Sequence, residues 1–161
     1  MNSNLFSSHL KLVQKNYDSA IEYYVADLKL DGVLLHSGSE DYYFSDDRAI
    51  PFKAYSYFMQ WVPINRPDQF VLISISDEPK YFQFSPADYW HDQNITHEEW
   101  LESHIEIVRI TAIEQIKRYI EGKTIGYLGP NPNLAESLGI PKQSINPKNL
   151  VTYLNYKRAY K

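Results

Sequence analysis

Phe70-Val71-Leu72-Ile73-Ser74-Ile75-Ser76-Asp77-Glu78-Pro79-Lys80-Tyr81-Phe82-Gln83-Phe84 is the stretch whose reading decides the fold class. Phe70 to Ile75 is the strongest strand signal in the chain, rich in β-branched and aromatic residues. Asp77-Glu78-Pro79 supplies turn chemistry, and Tyr81-Phe82-Gln83-Phe84 resumes as a second strand, so the two halves predict a hairpin. A hairpin means antiparallel pairing, and strands alternating with helices elsewhere mean parallel pairing. Both signals in one chain predict a layered α/β domain with a mixed sheet flanked by helices.

Upstream, Phe6, Leu10, Val13, Tyr17, Ile21, Tyr24 and Leu28 follow one helical stripe, which Asp31-Gly32 ends. Val33-Leu34-Leu35 reads as a short buried strand, and Tyr42-Tyr43-Phe44 as another that ends at Asp46-Asp47. Residues 51–61 are aromatic and irregular. Downstream, Thr96-His97-Glu98-Glu99 is a capping box opening a short helix through Trp100, and Ile105 to Ile110 alternates like a strand. Thr111-Ala112-Ile113-Glu114 is a second capping box, with Ile113, Ile116 and Ile120 on one face and Gly122 as the C-cap. Thr124 to Leu128 predicts a strand, and Asn131-Pro132 caps a helix through Leu138-Gly139. The final helix, 147–161, has Asn146 as N-cap, Pro147 in its first turn, and Leu150, Val151 and Leu154 at helical spacing. It runs out without a Gly or Asn cap, with Lys157, Arg158 and Lys161 at its end, and so reads as a module cut from a longer protein.

The chain has 161 residues, enough for one domain burying roughly 70% of its unfolded surface. A net charge of −4 without a basic stripe argues against a nucleic-acid partner. No apolar run approaches the ~20 residues that span a bilayer, so no membrane partner is expected, and no signal peptide is visible. The expected compartment is the cytoplasm. The absence of cysteine excludes disulfides and thiolate zinc sites. Fourteen Tyr and three Trp, with aromatics at 15%, leave two readings open: a Tyr-rich core, or surface aromatics for an interface.

Local catalytic signatures are weak. His36 and Ser37 are neighbours on a strand and point to opposite faces, so they cannot pair; His36 reads as a hydrogen-bonded residue at a strand end. His97-Glu98-Glu99-Trp100-Leu101 lacks the second histidine of a helical zinc motif, and His91, His97 and His104 have no ligand spacing. Gly126-Tyr127-Leu128-Gly129 lacks the third glycine and the lysine of a phosphate loop. Asp46-Asp47, two adjacent carboxylates, serve either as turn formers or to reach a basic group on a ligand. Trp90 is either a core anchor or an aromatic wall for a site shared with another subunit.

Taken together, Asp31-Gly32-Val33-Leu34-Leu35-His36-Ser37-Gly38, Phe44-Ser45-Asp46-Asp47 with Pro51-Phe52-Lys53, Gln60-Trp61-Val62-Pro63, Ala87-Asp88-Tyr89-Trp90-His91 and the closing Ile145-Asn146-Pro147-Lys148 and Tyr156 to Lys161 resemble the amino-terminal domain of bacterial prolidase. The resemblance covers essentially the whole chain, 1–161, and is to the Xaa-Pro dipeptidase group that also includes organophosphorus acid anhydrolases. It implies a creatinase-like domain whose final helix leads into an absent carboxy-terminal metallopeptidase domain. There, two divalent ions, usually manganese, would activate a water and polarise the carbonyl of a dipeptide ending in proline. It also implies a homodimer in which this domain supports the partner's substrate pocket. Asp47 and Trp90 match the family's substrate-lining positions; no catalytic or metal-binding residue maps onto this chain, which alone is expected to be inactive. Ala54-Tyr55-Ser56-Tyr57 departs from the family pattern, lacking its common Asn-Pro. Two other functions stay open: a stand-alone, non-catalytic binding module, and a parent enzyme acting mainly on organophosphorus esters.

Overall fold

Five short strands join into one mixed sheet in the computed structural model, which describes residues 3–24, 26–39, 53–74, 78–85, 101 and 104–159. They are β1 (Gly32–His36), β2 (Phe70–Ser74), β3 (Lys80–Phe84), β4 (Glu106–Ile110) and β5 (Ile125–Leu128), in the order β4-β3-β2-β1-β5. β2 and β3 form the expected antiparallel hairpin, with Phe70 opposite Phe82 and Leu72 opposite Lys80. β1 is antiparallel to β2 and parallel to β5, and β3 is parallel to β4. The α/β class with a mixed sheet is therefore the observed one.

Side chains alternate across a strand, so each strand feeds two cores. Val33, Leu35, Val71, Ile73 and Tyr81 face α1 (Ser3–Ser19), α2 (Ser56–Met59) and α5 (Lys148–Ala159), meeting Leu10, Val13, Tyr17, Phe58, Leu150 and Leu154. Leu34, Phe70, Leu72, Phe82 and Tyr127 face the other way, onto α3 (Lys117–Ile120), which follows a 3-10 turn at Ile113–Ile116, and onto α4 (Pro132–Ser137). The result is three layers, helices on both faces of the sheet. Each buried side chain of the α1 stripe is worth roughly 1.5–3 kcal/mol, enough for Leu10, Val13 and Tyr17 together to hold that helix down. Tyr57 of α2 donates its hydroxyl to Asn155 of α5, which ties two helices of one layer together. Tyr17, Tyr57, Tyr81, Tyr127 and Tyr153 are buried while Tyr23 and Tyr156 are exposed, so the abundant tyrosine is mainly core among the described residues.

Four local readings are corrected. The opening stripe is not one α-helix to Leu28: after Ser19 the chain enters a π-helical turn, Ala20–Tyr24, and then a 3-10 turn, Ala26–Leu28. Apolar periodicity reports which residues face the sheet, not which carbonyl each amide finds, and Ala20 and Ile21 stay buried through the change. Asn146 does not cap the final helix. Its φ is 46°, and its amide grips Gly129 instead, Oδ1 accepting from Gly129 N–H at 3.0 Å and Nδ2 donating to Gly129 O at 2.9 Å. The second capping box is made by Gln115 rather than Glu114: Gln115 Oε1 accepts from Thr111 N–H (2.8 Å) and Ala112 N–H (3.2 Å). Residues 56–59, expected irregular, form α2 because Tyr57 and Phe58 bury against the sheet. By contrast Asn131 caps α4 as expected, its side chain accepting from Leu134 N–H at 3.2 Å, and Gly122 ends α3 with φ 75°.

Candidate functional site

The carboxyl ends of the parallel pair β1 and β5 lie side by side, Leu35 opposite Leu128, at the edge where open α/β sheets usually receive ligands. His36 is the last residue of β1 and is fully buried. Strand alternation puts it on the face of Leu34 and Tyr127, where it stacks on Phe70 with ring centroids 4.4 Å apart and planes 4° apart. Its Nδ1 lies 2.8 Å from the Tyr127 hydroxyl and its Nε2 lies 3.2 Å from Asp68 Oδ1.

These contacts belong to a closed ring. Asn131 N–H donates to the Tyr127 hydroxyl (3.0 Å), and Asn131 Nδ2 donates to Ser39 Oγ (3.2 Å), which donates in turn to Asp68 Oδ1 (3.2 Å). The Asp68 carboxylate only accepts, so His36 donates Nε2–H to it; Nδ1 is then the acceptor, and the Tyr127 hydroxyl, which accepts from Asn131, donates its proton there. The tautomer of His36 follows from this donor order. Two chains of donors thus start at Asn131 and converge on the Asp68 carboxylate. Burial pushes the Tyr127 phenol well above its ordinary range, partly offset by the Asn131 amide, so the hydroxyl keeps the proton it donates. Asp68 holds φ 56°, a left-handed conformation that Asp adopts more readily than most residues.

Ser37 faces away and fastens the neighbouring loops. Its Oγ donates to Arg66 O (2.7 Å) and accepts from Gln69 N–H (3.0 Å), while its carbonyl accepts from Tyr55 N–H (2.8 Å). Gln69, also buried, uses both ends of its amide: Oε1 accepts from the Tyr81 hydroxyl (2.9 Å), and Nε2 donates to Phe84 O (3.2 Å). His36 and Ser37 are not a nucleophile and base, as strand geometry requires. Both His36 nitrogens are engaged, and the arrangement can orient backbone but has no side chain placed to attack a substrate.

Asp47 and Trp90, the two substrate-lining residues of the resemblance, lie outside the described residues, as do Asp46, His91, His97 and the strand at 42–44. His104 is half-buried just before β4. Among the described residues no group of three or more His, Asp or Glu is gathered to hold a metal ion. No helix among them is long and apolar enough to cross a membrane. Ser39, Asp68, Tyr127 and Asn131 were not legible as one site. Pro67-Asp68 carries a turn signature and Asn131-Pro132 a cap signature, but only the fold brings them to one strand end.

A family model described as "Xaa-Pro dipeptidase, N-terminal domain" matches residues 4–156. An Xaa-Pro dipeptidase of Proteus mirabilis (strain HI4320) is 32% identical over 162 residues, covering 98% of this chain and 36% of the relative. One from Escherichia fergusonii is 33% identical, covering 99% of this chain and again 36% of the relative. The chain therefore spans about a third of the length of these curated relatives. A solved structure from Bacillus anthracis, provisionally assigned as an aminopeptidase P, superposes with a TM-score of 0.56 at 14% identity, over 91% of this chain and 38% of that one. At that identity the likeness concerns the fold alone.

Proposed function

This chain belongs to the family of Xaa-Pro dipeptidase N-terminal domains, and on that premise we propose that it serves a cytoplasmic enzyme hydrolysing dipeptides with a carboxy-terminal proline. The observation that carries this reading is coverage: relatives named Xaa-Pro dipeptidase align along 98–99% of this chain but only 36% of themselves. In this reading, bond cleavage and the two divalent ions, manganese for preference, belong to the part of the relatives that this chain does not span. The domain's own contribution is to pair two subunits and to present Asp47 and Trp90 as walls of a substrate pocket, that of the partner subunit included. A carboxylate and an indole suit a dipeptide, which offers an amino group to the first and the apolar pyrrolidine ring to the second.

The test compares the 161-residue chain with the full-length product of its gene on proline dipeptides in the presence of manganese. Hydrolysis by the long form and none by the short one is the expected outcome. Turnover by the short chain alone would overturn the division of labour, and a full-length product without dipeptidase activity would overturn the substrate.

A further inference from the structure

We propose that a groove between the π-helical turn Ala20–Tyr24 and α5, walled by Tyr23, Tyr153 and Tyr156, is the surface on which the part of the enzyme that follows this domain docks. The inference rests on the reading above, a domain serving a longer dipeptidase, and deepens it by assigning the contact between the two parts.

Asn149, Thr152, Tyr153 and Tyr156 follow the i, i+3, i+4, i+7 spacing of one helix face on α5. Leu150 and Leu154, on the neighbouring face, are buried against the sheet. The π-helical turn packs against this helix, and Tyr23, carried on the turn, forms the other wall of a groove of about 580 Å³. Tyr23 is 70% exposed and Tyr156 58% exposed. Single exposed apolar side chains are ordinary on a protein surface, and Leu5 and Leu12 of α1 stand apart from the groove in that way. Two exposed aromatic rings lining one groove form a contiguous patch, which is the mark of an interaction site.

The lining chemistry selects a protein surface. None of the described lining residues is charged, whereas a nucleic acid or an anionic lipid surface would call for Lys and Arg. Tyrosine suits a protein contact, because its ring buries area while its hydroxyl keeps a hydrogen-bonding tip. Position selects which protein surface. The matching family model, that of an N-terminal domain, ends at residue 156, and this chain accounts for only 36% of the relatives' length. In those relatives the greater part of the chain therefore starts within one helical turn of the residue matching Tyr156. A body joined that closely meets the groove at an effective concentration on the order of millimolar, which a free second copy at ordinary concentration does not match.

The experiment follows acetylation of tyrosines by N-acetylimidazole, mapped by mass spectrometry, in the 161-residue chain and in the full-length product of its gene. Tyr119, half-buried in the core on the opposite face of the sheet, is the internal reference. The expected result is that Tyr23 reacts at least about tenfold more slowly in the long form, as a docked state populated ten to one requires, while Tyr119 changes less than about twofold. Tyr23→Ser removes one wall of the groove from an exposed position. It should raise the reactivity of Tyr156 at least about threefold in the long form and leave it unchanged in the short chain. Equal Tyr23 rates in the two forms overturn the inference. Protection of Tyr23 that appears in the short chain as its concentration rises also overturns it, because the groove is then a contact between two copies. Protection of Tyr156 that Tyr23→Ser leaves untouched overturns it as well, since the continuing chain alone then covers that ring. A long form with Tyr23 protected but no dipeptidase activity removes the substrate reading and leaves this contact standing.

Discussion

Tyr127→Phe removes one oxygen atom from the centre of the polar ring and leaves the aromatic packing in place. That oxygen accepts from Asn131 N–H at 3.0 Å and pairs with His36 Nδ1 at 2.8 Å. His36 is fully buried, so its Nδ1 loses its donor with no water to replace it, at a cost of roughly 1–3 kcal/mol. Asn131 is half-buried, and its amide recovers part of its loss from solvent, leaving about 0.5 kcal/mol. The sum is about 1.5–3.5 kcal/mol, which for a domain of this size corresponds to a fall in Tm of roughly 3–14 °C. The assay is urea unfolding of the 161-residue chain with an unchanged m value, alongside Tyr119→Phe, a half-buried tyrosine that meets Phe82 edge-on outside the ring. A second readout comes from alkaline pH. Burial raises the phenols of both Tyr127 and Tyr81, so above about pH 10 the unfolded chain releases protons that the folded chain retains. Stability is therefore full below that pH and lost above it, by about 1.4 kcal/mol per pH unit for each such phenol. Tyr127→Phe should fall less steeply than the parent chain, because one of these two raised phenols is gone. If Tyr127→Phe and Tyr119→Phe lose the same stability within about 0.5 kcal/mol and share one alkaline slope, the ring as described is wrong.

Gly129→Ala should lose more than about 2 kcal/mol in the same assay, since its Cβ would press on Tyr127 and His36. Combined with Tyr127→Phe, the loss should be less than additive, because the closest obstructing atom has gone. At Asp18, burial raises the carboxyl's pKa, the hydrogen bond from Gln14 lowers it in part, and Glu22 raises it further. A carboxyl raised in the folded state takes up protons more readily than in the unfolded chain, so it costs stability as pH rises through its folded pKa; Asp18→Asn should raise Tm slightly at pH 7 and make no difference in strong acid, as thermal melts across pH would read. Gly32→Ala should be poorly tolerated, with a loss above about 2 kcal/mol in urea melts, because a Cβ in β1 would run into the Ile73 carbonyl of β2.

The hairpin at 70–84 was legible because strand residues and turn residues there follow one another without competing signals. The same holds for Asn131-Pro132, whose cap depends only on atoms within one turn of helix. The end of the first helix was not legible. Leu10, Val13, Tyr17 and Ile21 are spaced as an α-helix requires, yet the backbone changes to π and then 3-10 bonding before Leu28 while burial continues. Asn146 shows the opposite failure: a perfect local cap sequence is overridden by a partner, Gly129, that is near only in the folded chain.

Composition and periodicity alone determined the class of this protein, helices layered on a mixed sheet, and motif order along the chain determined its family, because both are written in spacings between near neighbours. The tertiary structure decided that His36, Ser39, Asp68, Tyr127 and Asn131 are one unit. Residues up to 95 positions apart in sequence meet there only because β1 and β5 pair in parallel and the loop before β2 folds back across their ends, a proximity set by strand pairing rather than by any local preference.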